Sequence, residues 1–297
     1  MTVVVAAAVA GSTSPMASTA HAAQAAKALP VAVAIRTPSA TTRTPEPTAG
    51  DSPTLPLDVT YDLRPTPDAL ATASPRPLPD CGYEDVPAWL GGPDDWALTL
   101  VDTVYALPDS YEPPDLVNAS QAGFATGFDV RALLIPDLTA MAAAAADAGA
   151  PLGIASGYRS YWTQYSTFNY WVYGEGYDTA ILDSARPGHS EHQLGLAIDF
   201  MDLYGQAPWL YADFATESAA GIWLAAHAAQ YGFVMSYPAG RQAVTCYTYE
   251  PWHYRYVGRQ AARAILASGL TLREWLWQRQ PVPGPAAAAP TLRWTAP

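Results

Sequence analysis

The chain has 297 residues, a formal net charge of −12, and hydrophobic residues at half of its positions. That charge excludes a nucleic-acid partner, which requires a basic surface to offset phosphates. The length allows one or two domains. Nearly all of the 10 Trp and 18 Tyr fall between about residues 83 and 277, so one folded domain of roughly two hundred residues is predicted.

Residues 1–27 read as an export leader. Val3 to Ala10 is a short apolar run, Ala20-His21-Ala22 is a small-x-small cleavage pattern, and a positively charged start is missing. The run is too short to cross a bilayer, so no stable transmembrane span is predicted. Residues 28–80 are rich in Pro, Thr, Ser and Ala. Such a stretch cannot bury enough surface to offset its ordering entropy and is predicted to be a disordered linker. The folded domain is expected over 81–279, followed by a disordered Pro/Ala-rich tail over 280–297.

Within the domain, Leu133 to Gly149 predicts an Ala-rich helix ended by Gly149 and Pro151. Leu152 to Ser156 predicts a strand, Ser160 to Val172 an aromatic helix, and Gly174 and Gly176 a loop. Leu194 to Phe200 alternates as a strand does, with Leu194, Leu196, Ile198 and Phe200 on one face and Gly195, Ala197 and Asp199 on the other. Thr216 is read as the cap of a helix that runs to about Gln230 and stops at Gly232. Phe233 to Tyr237 and His253 to Val257 predict strands, and Gln260 to Ala267 and Leu272 to Gln278 closing helices. Helices mixed with short strands, without βαβ alternation, give the class α+β.

Two cysteines, Cys81 and Cys246, are too few for a disulfide framework and do not form a CxxC metal pair. In an exported protein they predict one long-range disulfide. The alternative is two unpaired, partly buried thiols.

There are five histidines. His21 lies in the leader, and His227 sits among alanines as a polar helix residue, which leaves His189, His192 and His253. In the run Ser190-Glu191-His192-Gln193-Leu194-Gly195-Leu196-Ala197-Ile198-Asp199, Asp199 shares a strand face with only Gly195 and Ala197. Small neighbours leave room beside a carboxylate for an ion or a substrate. With His253 from Glu250-Pro251-Trp252-His253, the chain offers three N/O ligands, the number a catalytic zinc takes from protein while keeping its fourth position for water. Glu250 is then a spare carboxylate for general-base work. The same spacing also fits an ordinary buried His192–Asp199 pair with Glu250 in an exposed loop.

Ser190-x-His192-x-x-Gly195-x-Ala197-x-Asp199 resembles the zinc motif of the VanY-type D-alanyl-D-alanine carboxypeptidases, and Glu250-x-x-His253 resembles their second motif. Ser156 to Ser160 with Gln164, Ala185 to Gly188, Tyr231 to Phe233 and Glu250 to Gly258 extend the likeness in the family's order, over about residues 97 to 268. The resemblance implies a hedgehog/DD-peptidase-like fold, a small antiparallel sheet with helices packed around it and a zinc site in a cleft. It implies one Zn²⁺ per chain on His192, Asp199 and His253, with Glu250 as catalytic base. Arg159 would steady the substrate and the developing oxyanion, and Gln164 and Ser190 would line the substrate site. His189 falls on a variable position and is left out of the metal shell. Cys246 stands where the family often has glycine, and His227 where it often has asparagine.

The implied reaction is hydrolysis of the terminal D-alanine from peptidoglycan stem peptides by an exported or wall-associated monomer. An L,D-carboxypeptidase acting on tetrapeptide stems would use the same zinc machinery. A non-catalytic wall-binding module has no need of Glu250 or Arg159, and a phage-type endopeptidase fits the leader and linker less well.

Overall fold

The computed structural model describes residues 76–90 and 95–280, and from Pro77 onward they belong to one compact unit. The expected leader (1–27), nearly all of the expected linker and all but the first residue of the expected tail lie outside the described residues.

The domain opens with two small ladders. Strand β1 (Val86–Pro87) pairs in parallel with β2 (Tyr105–Ala106), and β3 (Leu116–Asn118) pairs antiparallel with β4 (Asp129–Arg131). Helix α1 (Ile135–Asp147) begins with Pro136 in its first turn and buries Leu138, Met141 and Ala145 along one face. It ends where predicted, before Gly149 at φ +76°. Strand β5 (Leu152–Ser156) follows, then α2 (Tyr161–Glu175), whose first turn is capped by the Ser160 side chain.

Here the structure departs from expectation. Helix α2 runs on through Gly174, where a loop is expected, and Gly176 (φ +85°) is a single-residue break before a further helix, α3 (Tyr177–Asp183). Phe168, Trp171, Ala180 and Ile181 of these helices pack together. That burial offsets the poor helix propensity of the glycines.

The strand predicted to start at Leu194 is also shorter at its front. Residues Glu191–Leu194 form a 3₁₀ turn capped by Ser190, and Gly195 takes a left-handed conformation (φ +67°). A Cβ on Gly195 would press on Arg131 and Leu116, each at 3.0 Å. Strand β6 (Ala197–Asp202) therefore starts after this turn and extends two residues beyond Phe200. The single helix expected from Thr216 is two. Asp213 caps α4 (Phe214–Glu217), and Ser218 breaks the chain and caps α5 (Ala219–His227). Gly232 ends the next turn in the left-handed conformation, as predicted, and β7 (Phe233–Met235) follows. A one-turn helix α6 (Gln242–Thr245) leads to β8 (His253–Tyr256), and α7 (Arg259–Ser268) and α8 (Leu272–Trp277) close the fold.

The main sheet is antiparallel in the order β5-β6-β8-β7. Its core face carries Ile198, Phe200, Phe233, Tyr254 and Tyr256, packed with Leu138, Met141 and Leu224. Each such side chain contributes about 1.5–3 kcal/mol by leaving water. Both faces of β6 are buried over its first four residues. Half of that burial serves the core, and the other half encloses Asp199.

Cys81 and Cys246 form a disulfide with a Cα–Cα distance of 5.3 Å across 165 residues of sequence. Closing a loop of that length adds about 5 kcal/mol in the chain-entropy account.

Gly221 sits where α5 meets the carbonyl group of Phe214, and an added Cβ would collide with it. Gly221→Ala is therefore expected to lower stability by roughly 1–3 kcal/mol, the usual effect of overpacking, despite alanine's better helix propensity. Denaturant unfolding of the two proteins measures the difference.

Candidate active site

The sheet register sets the centre of the site. Asp199 on β6 lies directly opposite His253 on β8, so two polar side chains share one cross-strand position between central strands. His192 comes from the 3₁₀ turn that feeds β6. The three ligand atoms available on His192, Asp199 and His253 all lie within 4.8 Å of one another, and all three residues are buried.

The hydrogen bonds around the two imidazoles decide which nitrogen faces the centre. His192 Nδ1 lies 2.7 Å from the Gly157 carbonyl. A carbonyl can only accept, so Nδ1 carries the proton and Nε2 turns a lone pair toward Asp199 Oδ2 at 3.2 Å. His253 is arranged the other way round. Its Nε2 donates to Glu191 Oε2 at 3.0 Å, and its Nδ1 faces Asp199 Oδ1 at 3.1 Å.

Two imidazole nitrogens and a carboxylate thus point at one another, an arrangement that calls for a positive charge among them. Burial opposes ionisation of Asp199, yet the two histidines outweigh it and hold its pKa well below the usual carboxylate range. Burial pushes His192 down, toward the neutral form that ligates. For His253, burial also works against the charge, but Asp199 and Glu191 overcome it and raise its pKa to about 10. At neutral pH the cation here is a proton on His253 or a metal ion that takes its place. The two His–Asp separations, 3.2 Å to Oδ2 and 3.1 Å to Oδ1, place one imidazole at each carboxylate oxygen. Two imidazoles and a carboxylate fit zinc in their chemistry, and their ligand atoms lie close enough together to share one ion.

Behind the ligands stands a group that motif reasoning missed. Glu191 is 4% exposed. Its carboxylate accepts from Ser236 Oγ at 2.6 Å, from His253 Nε2 at 3.0 Å and from Arg255 Nη1 at 3.1 Å. Arg255 is fully buried, and its Nη2 donates to the carbonyls of Trp96 and Thr99. A histidine ligand that donates its other N–H to a carboxylate is fixed in tautomer and orientation. The available signal was Arg255, a charge inside a Tyr-Arg-Tyr strand that needs a buried anion. Nothing in sequence said which one. Tyr237, also missed, packs its ring 4.9 Å from that of His253.

Glu250 stands at the mouth of the site, with Oε2 3.8 Å from His253 Nδ1. Its backbone is held on both sides, the N–H by the Tyr237 carbonyl and the C=O by the His253 N–H. The backbone N–H of Arg159 donates to the His192 carbonyl at 3.2 Å. Burial pushes the pKa of its guanidinium down, with Asp199 and Glu250 acting against it, and its buried Nε has no hydrogen-bond partner among the described residues.

Of the remaining predicted residues, Ser190 lies beside the site and accepts from the His192 N–H. Gln164 is buried on α2, donates to the Ala185 carbonyl at 2.6 Å, and leaves Oε1 without a partner. His189 is engaged elsewhere, with Nδ1 2.6 Å from the Asp102 carbonyl and Nε2 2.9 Å from Asp85. His227 ends α5 beside Trp223 and Gln230.

Comparison with known proteins follows the same lines. The VanY family, described as D-alanyl-D-alanine carboxypeptidase, matches residues 128–259. The putative carboxypeptidase YodJ of Bacillus subtilis (strain 168) is 40% identical over 60% of this chain and 66% of the relative. A D-alanyl-D-alanine carboxypeptidase of Enterococcus faecalis is 34% identical over 63% of this chain and 68% of its own length. The chain thus spans about two thirds of these relatives. Among solved structures, the LD-carboxypeptidase LdcB superimposes with a TM-score of 0.55 at 34% identity, over 66% of this chain and 94% of that one. A vancomycin-resistance D,D-pentapeptidase VanY, a mutant solved in complex with Zn(II), gives 0.52 at 31% identity, over 61% of this chain and 99% of that one. With the His-Asp-His centre in place and relatives alike over most of their length, the chain belongs to the VanY family of D-alanyl-D-alanine carboxypeptidases.

Proposed function

We propose that the chain is a zinc-dependent D,D-carboxypeptidase that removes the terminal D-alanine from peptidoglycan stem peptides, with one Zn²⁺ per chain on His192, Asp199 and His253. The observation that carries this reading is the convergence of two imidazole nitrogens and an ionised carboxylate beside Glu250 and the unpartnered Nε of Arg159. Zinc bound there supplies a Lewis acid that lowers the pKa of water from ~15.7 toward ~7.

Glu250 is the general base. It takes the proton of the water that attacks the penultimate carbonyl carbon and returns it to the leaving amine of D-alanine. Arg159 holds the carbonyl oxygen as negative charge grows on it. Ser190 and Gln164 line the substrate site, where the unpartnered Oε1 of Gln164 offers an acceptor. Export to the cell wall as a monomer completes the reading, and the Cys81–Cys246 bond supports it because disulfides persist in oxidising compartments. The domain boundaries are proposed at 81–279, between a leader and linker on one side and a short tail on the other.

The likeness to the LD-carboxypeptidase LdcB favours a second reading, cleavage of tetrapeptide stems by the same residues. Mass spectrometry of defined penta- and tetrapeptide stems incubated with the zinc-loaded protein separates the two. Loss of D-alanine from the pentapeptide supports the D,D reading, and loss from the tetrapeptide alone supports the L,D one. No cleavage of either leaves a wall-binding module.

Elemental analysis of purified protein is expected to find one zinc per chain, and His253→Ala is expected to lose both metal and activity. Glu250→Ala is expected to keep its zinc while turnover falls by about 10²–10⁴-fold, the usual worth of a general acid–base group. Near-normal turnover would assign the base elsewhere. Glu191→Gln keeps the shape of the side chain but removes the charge behind His253. It is expected to weaken zinc binding about 10–100-fold, read by competition with a chelator of known affinity.

A further inference from the structure

We propose that Cys246, held by its bond to Cys81, is a positioning residue for Glu250: the disulfide keeps a left-handed backbone turn from which the base-bearing segment is aimed at the metal centre. This rests on the reading of Glu250 as the base.

Three observations carry it. Cys246 is the only non-glycine among the described residues with positive φ, at φ +71° and ψ −6°. A residue with a Cβ disfavours that conformation and keeps it only where the surroundings impose it. Next, the turn is where α6 ends: the Cys246 N–H donates to the Gln242 carbonyl at 2.8 Å, and the chain then leaves for the site. The four residues after it are tied along their way, Tyr247 to the His189 carbonyl, Thr248 to Asp183, Tyr249 to Asp213, and the Glu250 N–H to the Tyr237 carbonyl. These bonds form only if the chain leaves α6 in the right direction, and the turn at residue 246 sets that direction for a segment with no helix or strand of its own.

Finally, the other end of the bond is itself fixed. Cys81 lies on a strap whose neighbours are held by separate contacts. Pro77 and Pro79 accept from Trp277 Nε1 and Arg273 Nη1, and Asp85 pairs with Arg186 at 2.8 Å and His189 at 2.9 Å. An anchored strap can impose a conformation on its partner, whereas a loose one would follow it. His192, Asp199 and His253 stand on the sheet and the turn before it, outside residues 246–250, so zinc content reports on their geometry separately from the aim of Glu250.

The test places two residues at 246 in a chain that lacks the bond. Cys81→Ser/Cys246→Ala keeps a Cβ at the left-handed position, and Cys81→Ser/Cys246→Gly removes it. The alanine variant is expected to lose about tenfold or more in kcat, with KM and zinc content close to wild type. The glycine variant, equally without the disulfide, is expected to recover most of that loss. A plain stabilising staple would lower the Tm of both variants alike and leave kcat, measured well below Tm, equal in the two. That result overturns the proposal. If the alanine variant does not fold, opening the bond in folded wild-type protein with a phosphine reductant, zinc replenished and free thiols counted, gives the same comparison. Unchanged kcat after opening overturns it too. Absence of turnover in the wild type, or full turnover in Glu250→Ala, removes the base itself and the positioning claim with it. Turnover that depends on Glu250 but is indifferent to residue 246 sinks the positioning claim alone.

Discussion

Two imidazole nitrogens and an ionised carboxylate face one another in a buried space, and the surrounding structure is arranged to hold them there. The set calls for a shared cation, so each member must be fixed from behind. The Gly157 carbonyl fixes His192, and Glu191 fixes His253. Glu191 in turn is paired with Arg255, whose Nη2 donates to the carbonyls of Trp96 and Thr99 and whose Nε donates to that of Tyr256. Buried ion pairs of this kind add little net stability, because desolvation consumes most of the attraction, yet breaking one costs several kcal/mol. Their value here is orientation. The chain Trp96–Arg255–Glu191–His253 sets which nitrogen of the imidazole is turned inward.

The site divides by the rigidity of what carries it. Asp199 and His253 sit opposite each other on neighbouring central strands, where register leaves no freedom. Glu250 and Arg159 come from irregular segments just beyond strands, and such segments need tethers to reach comparable precision. Tethers are present on both. Arg159 is bonded through its backbone to His192, and Glu250 to Tyr237 and His253. The N-terminal strap reaches the same region twice, through Asp85 to the Arg186–His189 loop and through Cys81 to Cys246. One short segment at the domain's entry therefore ties down two stretches that lead to the site, the one before Ser190 and the one before Glu250. In a domain whose ligand-bearing strands are only four and six residues long, such external ties do work that a longer sheet would do through its ladders.

Sequence patterning recovered those elements whose determinants are local. Leu152–Ser156 matches its predicted bounds, and the Ala-rich helix, the Gly232 stop and both closing helices fall within a few residues of expectation. The grouping of His192, Asp199 and His253 was legible through its resemblance to a known motif, the first part of which spans a turn followed by a strand. What failed did so where packing overrode local preference. Gly174 stays helical because α2 and α3 bury Phe168, Trp171 and Ile181 together. The expected helix from Thr216 splits because Asp213 and Ser218 are each better placed to cap. The start of β6 moves because Gly195 must pass close to Leu116 and Arg131, residues far off in sequence.

By itself, then, the sequence determined the α+β class and offered His192, Asp199, His253 and Glu250 as candidates, since the run from His192 to Asp199 and the pair Glu250 and His253 are short local patterns that resemble a known motif. Only the tertiary structure decided the tautomers of the two histidines, the burial of Glu191 against Arg255 and the left-handed turn at Cys246. Each of these depends on which groups meet across separations of 35 to 165 residues. Hydrogen-bond direction and backbone strain are properties of such meetings, and no window of local sequence contains them.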